Sequence, residues 1–314
     1  MKGSSNTDVI HHSMKGEIKS MYLNIHSGIE LGAQTLQLSN QYYDLYWEGI
    51  IYYPGIEEGE SSMKIFLDGL LPRDNGNMIL KQVSGLRGTW TLFLHDRAQD
   101  IWFAFSDHSH QSFMFFTNTS VSNSFLRLRA DIPDKTKTDE EALLCFLYSG
   151  YCYTKSIFYS DISRLDYHNY LEIGGSKIVT RSKKLPDVFA GKIIPGSFVS
   201  TLEPLIASLR NYNICLDLSG GTDTRALLIS LQHLGFDFDV ATYGDQYYSE
   251  VQIAQETAKL VGKDLKFINL TSRDMNPDDL LLAWRGCDGL DIALDSYKFE
   301  TWRRKLGYTL VIGG

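Results

Sequence analysis

Residues 215–231 read CLDLSGGTDTRALLISL: an apolar run of strand character, broken by Ser219-Gly220-Gly221, that resumes after Asp223 and Thr224 as an amphipathic helix. No other stretch constrains the chain so tightly. In parallel α/β sheets such turns lie at the carboxyl ends of strands, where ligands bind and helix N-termini offer free N–H groups. The sequence around it has the same texture. NICLDLS, TRALLISLQHLG, FDVATYG, SEVQIAQETAKLVG, LKFINL, SYKFETWRRKLG and YTLVIGG alternate strand with helix, which predicts βαβ units and a parallel sheet.

The turn suits a phosphate. Gly220 and Gly221 let the backbone approach an anion and adopt positive φ, and Ser219 and Thr224 add hydroxyl donors. A helix starting near Thr224 would present free N–H groups and its positive dipole end. Asp223 cannot be a direct phosphate ligand, because like charges repel, but it fits a carboxylate holding Mg²⁺ against a pyrophosphate. The chain has no G-x-x-x-x-G-K-[ST], and no G-x-G-x-x-G follows a strand here, so these two phosphate loops are excluded. The competing reading of SGGTD is a tight turn with a helix cap and no ligand.

Upstream, about residues 20–180 read as β-rich. LYWEGIIYYPG, GTWTLFLHDRA, DIWFAFSDHSH and SFMFFTNTS are short, aromatic and β-branched runs bounded by turn residues. Thr89–His95 and Ile101–Phe105, joined across Asp96–Asp100, predict a hairpin. One helix is expected there, ALLCFLYSGY, entered through a capping box of Thr138 and Glu141. The Pro- and Gly-containing SKKLPDVFAGKIIPG is a linker, which places a domain boundary near 185–196 and domains at 1–190 and 191–314.

The formal net charge of −8 argues against a broad nucleic-acid footprint. No apolar run approaches the ~20 residues of a membrane span. The first residues, MKGSSNTDVIHHSMKG, lack the apolar region of a signal peptide. The expectation is a cytoplasmic protein with no nucleic-acid and no membrane partner. Cys145, Cys152, Cys215 and Cys287 form no CxxC pair and no disulfide framework, so buried free thiols are expected.

The pattern S-G-G-x-D-[ST] resembles the PP-loop of ATP pyrophosphatases, which cleave ATP between the α and β phosphates, adenylate an acceptor and release pyrophosphate. The first half narrows the family. GLRGTWTLFLHDRAQDIWFAFSDHSHQSFMFF, EALLCFLYSGYCYTKSIFYSDISRLDYHNYLEI and the GIIYY of LYWEGIIYY resemble the amino-terminal glutaminase-like domain of asparagine synthetases. TYGDQYYSEVQIAQETAKLVG resembles their segment after the PP-loop. The resemblance runs from about residue 40 to the last residue. It implies an N-terminal nucleophile-hydrolase-like sandwich at 1–190. After it comes a PP-loop, adenine-nucleotide α-hydrolase-like parallel sheet, truncated at its C-terminus, at 191–314.

The family's chemistry implies ATP and Mg²⁺, a carboxylate activated as an acyl-adenylate, and an amine that attacks it to form an amide. The carboxylate would be a small molecule or a peptide. The amine would be free ammonia, the substrate's own amine as in β-lactam synthetases and lasso-peptide cyclases, or ammonia from a partner subunit. Ser219, Gly220 and Gly221 would cradle pyrophosphate, Thr224 would add a hydrogen bond and Asp223 would bind the metal. The backbones of Leu218 and Tyr243 would meet adenine, although plain strand-end packing explains both equally. Gly313 and Gly314 would open the Gly-x-Gly-x-Asp-Glu loop, whose acid is not in the chain, so weak nucleotide binding and incomplete catalysis are expected of this fragment.

Departures from the family bear on the first half. A working glutaminase of this kind exposes an N-terminal Cys. Here Lys2 follows Met1, no cysteine precedes Cys145, and exposure of Ser4, Ser5 or Ser13 would require removal of a leader. Ile50 follows Gly49 where the family has a Glu that holds the glutamine amine, and the Arg-Gly-Pro-Asp motif is missing. Only Asp107 matches an acid of that pocket. The expectation is the glutaminase fold without the activity. The alternatives are a glutamine-hydrolysing asparagine synthetase proper, and a non-catalytic nucleotide-binding partner protein.

The remaining candidates have ordinary explanations beside them. Glu250 matches a family acid near ATP, yet an acid in a first helical turn is favoured by the helix dipole. Asp291 and Asp295 fall where substrate-facing residues lie, or on a solvated surface. His108 and His110 make an H-x-H pair without a third ligand and read as loop histidines. Arg303, Arg304 and Lys305 suit a helix C-terminus and a solvated face.

Overall fold

A computed structural model describes residues 36–71, 76–109, 111–130, 132, 136–150, 152, 155–175, 177–183, 198–270, 276–290 and 294–313. The chain is a mixed α/β protein in two compact units. One takes its residues from Met1–Lys192 and Arg285–Asp291, the other from Ile193–Trp284 and Ile292–Gly314. The boundary expected at 185–196 lies outside the described residues, and Arg285–Asp291 joins the first unit rather than the second.

In the first unit, β1 (Leu36–Ser39), β2 (Tyr43–Tyr52), β3 (Arg87–Asp96), β4 (Ile101–Ser106), β9 (Asn169–Gly174) and β10 (Lys177–Ser182) form one sheet in the order β1-β2-β3-β4-β9-β10. Every neighbouring pair in it is antiparallel. The expected hairpin is β3–β4, with Leu94 opposite Phe103 and Asp96 opposite Ile101. Strand side chains alternate faces. Leu45, Trp47, Leu92, Leu94, Phe103 and Phe105 therefore fill one core with α1 (Glu60–Asp68) and α2 (Asn77–Gly85). Tyr46, Phe93, Trp102 and Ala104 fill another, against Met114, Val121 and Leu165 of a smaller sheet. That sheet orders β5 (Phe115–Phe116), β6 (Val121–Ser122), β7 (Ser156–Ile157) and β8 (Tyr159–Arg164) as β6-β5-β8-β7. Its far side packs Phe115 and Ile162 on Phe125 and Leu128 of α3 (Phe125–Ala130), with Phe146 of α4 (Glu140–Ser149) alongside. The layers run helix, sheet, sheet, helix.

Two local expectations change. Of the run SFMFFTNTS only Phe115–Phe116 is strand. The cap of α4 is Asp139, not Thr138: Asp139 is extended and its side chain accepts the Ala142 N–H at 3.0 Å, while Thr138 bridges to Tyr159. The α4 face is also less buried than its apolar pattern suggests. Ala142 is buried, whereas Leu144, Leu147 and Tyr148 are exposed.

The second unit holds a parallel sheet of β11 (Ile214–Asp217), β12 (Asp239–Gly244), β13 (Leu265–Asn269) and β14 (Leu310–Ile312), ordered β13-β12-β11-β14. The helices are α5 (Phe198–Ala207), α6 (Thr222–His233), α7 (Ser249–Leu260), α8 (Pro277–Gly286) and α9 (Leu294–Lys305). Residues of α5, α6 and α7 cover one face with Ile214, Leu216, Leu218 and Val240. On the other face Phe299 of α9 meets Cys215, Ala241 and Tyr308. The chain steps outward from β11 through β12 to β13, then returns to the opposite side of β11 as β14. Strand order thus reverses between β11 and β14, the place where open α/β sheets form a ligand crevice. Among the described residues no helix is long and apolar enough to cross a membrane.

Candidate functional site

The Ser219-Gly220-Gly221 turn leaves the carboxyl end of β11 at this reversal. Leu218 is buried and donates its N–H to Ala241 O at 2.8 Å, which holds the strand end to β12. Ser219 Oγ accepts the Gly221 N–H at 3.1 Å and lies 3.1 Å from Thr224 Oγ1. Thr224 Oγ1 accepts the Ser219 N–H at 3.3 Å and lies within 3.3 Å of the Ser219 and Gly221 carbonyls. Thr224 is buried. Its hydroxyl braces the loop.

The glycines also act differently from expectation. Neither Gly220 nor Gly221 has positive φ, and Gly221 sits at φ −71°, ψ 157°. Space is what Gly220 supplies, since a Cβ there would lie 3.1 Å from Glu250 Cα and 3.4 Å from Ile253 Cδ1. A side chain at 220 would crowd the first turn of α7, which would have to give by a few tenths of an ångström. Helix α6 begins at Thr222, two residues earlier than expected, with Gly221 at its N-cap and no side-chain cap. Its first-turn N–H groups are therefore the kind of donor set that receives anions.

Asp223 is exposed in that first turn. Among the described residues no three His, Cys, Asp or Glu side chains are grouped to hold a metal. The residues fit Mg²⁺ nonetheless, because this ion is commonly held by one or two carboxylates together with phosphate oxygens and water. Tyr243, near the end of β12, is partly exposed with its ring 4.5 Å from that of Phe299. Gly313 follows β14, and a Cβ on it would lie 3.9 Å from Asp217 Oδ2. Glu250 lies in the first turn of α7 and Asp295 in that of α9. Gly314, Asp291 and His110 lie outside the described residues.

The solvated face expected for the basic cluster of α9 fails at Arg303. This side chain is only 7% exposed, pairs with Asp217 Oδ1, and donates to Glu300 Oε2 at 2.7 Å. Arg304 donates to Glu300 Oε1 at 2.7 Å, while Lys305 is exposed. Burial raises the Asp217 carboxyl above the usual range more than Arg303 lowers it. Asp217 is the residue that sequence reasoning missed. The signal was present, because an acid inside the apolar run CLDL needs a partner when buried.

The first unit has its own cavity, of about 320 Å³, lined by Glu48, Gly49, Thr89, Thr91, Asn123 and Asp288 among others. Gly49 is required there: at φ +90° its missing Cβ would stand 2.2 Å from Thr89 O. Asp107 does not serve this cavity. Fully buried, its carboxylate accepts the N–H groups of Ser109 (2.8 Å), Gln111 (3.2 Å) and Ser112 (2.6 Å) and the Ser109 hydroxyl (2.6 Å). Asp288 caps α3, accepting from Ser124 Oγ at 2.8 Å, Leu126 N–H at 3.1 Å and the Phe125 N–H. His108 is held by Val83 O at 3.0 Å, and burial lowers its pKa. Cys152 and Cys215 are buried as expected, which pushes their pKa values up to about 11 and about 12 and makes them poor nucleophiles. Cys145 and Cys287 are only partly buried.

A cavity of about 560 Å³ in the second unit lies at the amino ends of β11 and β12, between Arg210, Tyr212, Phe236 and Asp239. Ligand chemistry in such sheets belongs to the carboxyl edge, where the glycine loop is.

No family model and no curated protein matches the chain. Among solved structures it is similar to the glutamine phosphoribosylpyrophosphate (PRPP) amidotransferase from B. subtilis complexed with ADP and GMP. The identity is 9%, with 74% of this chain and 73% of that chain covered and a TM-score of 0.31, a likeness too slight to carry an argument.

Proposed function

We propose that the second unit binds ATP with Mg²⁺ at the Ser219–Gly221 loop and adenylates a carboxylate, which an amine then converts to an amide. The protein is in this reading a carbon–nitrogen ligase of asparagine-synthetase type. The observation that carries it is the placement of the loop. It leaves β11 where strand order reverses, opens directly into the uncapped N-terminus of α6, and passes close to α7 at Gly220.

The Gly220 N–H and the first turn of α6 would receive pyrophosphate, in a shape fixed by Ser219 and Thr224. The Leu218 and Tyr243 backbones would flank adenine, with Gly313 at the end of the neighbouring strand β14. Asp223 would hold Mg²⁺, which would supply charge neutralisation for the leaving pyrophosphate. A carboxylate oxygen attacks the α-phosphorus as the α–β bridging P–O bond breaks. The amine then attacks the acyl carbon and loses a proton, and AMP leaves with the electrons of the acyl–oxygen bond.

The helix, sheet, sheet, helix layering of the first unit supports an N-terminal nucleophile-hydrolase-like sandwich. It would lack glutaminase activity: Ile50 has no charge for an amine, and the Asp107 carboxylate is consumed by its own loop. The acid substrate would be a small molecule or a peptide. Nitrogen would come from free ammonia, from the substrate itself or from a partner subunit.

The test is ATP–pyrophosphate exchange with Mg²⁺ across a panel of amino and peptide acids, beside a glutamine-hydrolysis assay. Exchange without glutamate release is expected, and Asp223→Ala should abolish it. Nucleotide binding that needs Asp223 but gives no exchange with any acid would favour a non-catalytic nucleotide-binding protein. Release of glutamate would favour a glutamine-dependent asparagine synthetase.

A further inference from the structure

We propose that Arg303 is a positioning residue of the nucleotide site: acting through Asp217 and Phe299, it sets the exits of β11 and β12 at the crevice. The inference rests on the nucleotide reading above.

Alternation along β11 sends Ile214, Leu216 and Leu218 to the face covered by α5, α6 and α7, and Cys215 to the face of α9. Asp217 shares the parity of Cys215, so its carboxylate falls on the α9 face two residues before Ser219. Arg303 reaches it there. One guanidinium nitrogen, Nη1, holds Asp217 Oδ1, and Nη2 donates to Glu300 Oε2 at 2.7 Å. The guanidinium lies 4.0 Å over the Phe299 ring, whose centroid is 4.5 Å from that of Tyr243 near the exit of β12. One buried cation thus supports the exits of β11 and β12 together.

Stability alone is a poor reason for this arrangement. An ion pair drawn out of water is often matched or bettered by apolar residues of the same volume, the Asp217 side chain is still 35% exposed, and Arg303 Nε is buried with no hydrogen-bond partner among the described residues. Direct phosphate binding is a poor reason too, since Nη1 and Nη2 are committed to Asp217 and Glu300. What the planar fork and its aromatic stack do supply is a fixed angle between a strand end and its neighbours. The charged and titratable groups facing Asp217 are Arg303 and Glu300 of α9 and Cys215 of its own strand. Burial raises the Asp217 carboxyl, so acidification protonates it and releases the pair.

The experiment measures Mg·ATP affinity of the full chain by calorimetric titration from about pH 5 to about pH 8, a span that brackets a raised carboxyl. The variants are Asp217→Asn, Arg303→Lys and Asp223→Ala, the first two chosen to keep side-chain volume. At the alkaline end, Asp217→Asn and Arg303→Lys should each bind about tenfold more weakly or worse, the scale of a lost charge-assisted contact. Wild-type affinity should fall on acidification beyond what protonation of the nucleotide itself produces, and Asp217→Asn should lack that extra limb. A merely structural role would leave the limb unchanged. If Asp217→Asn and Arg303→Lys bind like wild type while Asp223→Ala does not bind, the positioning role is wrong and the nucleotide site stands. If the wild-type chain does not bind Mg·ATP at any pH, both readings fall. Should Asp217→Asn not fold, Arg303→Lys carries the affinity comparison.

Discussion

At the end of β4 the Asp107 carboxylate takes three N–H groups and a hydroxyl from the loop it begins. At the end of β11 the Asp217 carboxylate is paired with Arg303 and takes no N–H from the loop that follows. Two hydroxyls, Ser219 and Thr224, brace the backbone, and α6 starts without a side-chain cap. The first loop is closed, its donors spent on its own acid. The second keeps donors in reserve at a helix N-terminus, where an anion is the natural acceptor. Both loops are anchored to buried strands, so rigidity does not distinguish them. What distinguishes them is where the hydrogen-bond capacity goes, and this is why the second unit is the better place to look for ligand chemistry.

The largest way to break the comparison is to open the closed loop. Asp107→Ala would remove the buried acceptor of three N–H groups in a partly exposed loop, a loss of about 1–3 kcal/mol. Ser219→Ala, in the open loop, should cost about 1 kcal/mol or less, because it removes one neutral bond near solvent. Chemical denaturation of both variants checks the ordering. Equal losses would mean that the two loops are held alike.

Lys183 sharpens the same region through pH. It is 4% exposed and donates Nζ to Ser106 O at 2.6 Å, next to Asp107, and burial depresses its pKa to about 8. Between that value and its unfolded pKa the unfolded chain binds more protons, so stability rises with pH across this window. Below about 8 both states are charged and the burial cost is carried in full. Unfolding free energy should therefore climb between about pH 8 and pH 9.5, and Lys183→Met should flatten the climb and add about 1–3 kcal/mol near neutrality. A flat wild-type profile would sink this account of the lysine.

How much of this was legible depended on the range of the cause. The alternation of β11 to β14 with α6, α7 and α9, and the β3–β4 hairpin, follow from periodicity and turn residues within a dozen positions, and these the sequence displays. Helices α1 and α2 do not interrupt the β-rich texture strongly enough to be seen. Only the spacing of Met63, Phe66 and Leu67, buried together on α1, hints at the first of them. Arg303 reads as a solvated cation because its partner Asp217 lies 86 residues away. Asp288 reads as an unremarkable loop acid because the helix it caps begins 163 residues earlier. The turn between β11 and α6 was legible, whereas the positive φ expected of Gly220 and Gly221 is absent, since φ is guessed from composition while the approach of Glu250 can be seen only once α7 is packed.

A smaller effect separates two neighbouring capping candidates. Asp139→Ala should cost about 1 kcal/mol as the cap of α4 is lost, and Thr138→Ala should cost clearly less, since Thr138 does not cap the helix. Thermal unfolding of the two variants decides which hydroxyl or carboxyl the helix uses. A larger loss for Thr138→Ala would return the cap to the S/T-x-x-E pattern that the sequence suggests.

The smallest expected effect on stability closes the open loop on purpose. Gly221 is extended, at φ −71° and ψ 157°, a conformation any residue adopts, and its Cβ would meet only the Ser219 hydroxyl, at 3.1 Å. Gly221→Asp would set a carboxylate at the N-cap of α6, which favours the helix over glycine by only a few tenths of a kcal/mol. That same carboxylate would occupy the first-turn donors and repel a phosphate. The unfolding midpoint should stay or rise slightly while Mg·ATP affinity is lost. This pairing of neutral stability with lost binding is what a helix N-terminus held open for an anion predicts, because the cap that would stabilise it is the ligand. If the variant binds nucleotide as well as wild type, the donors of α6 are not the anion site, and the difference between the two loops has no bearing on function.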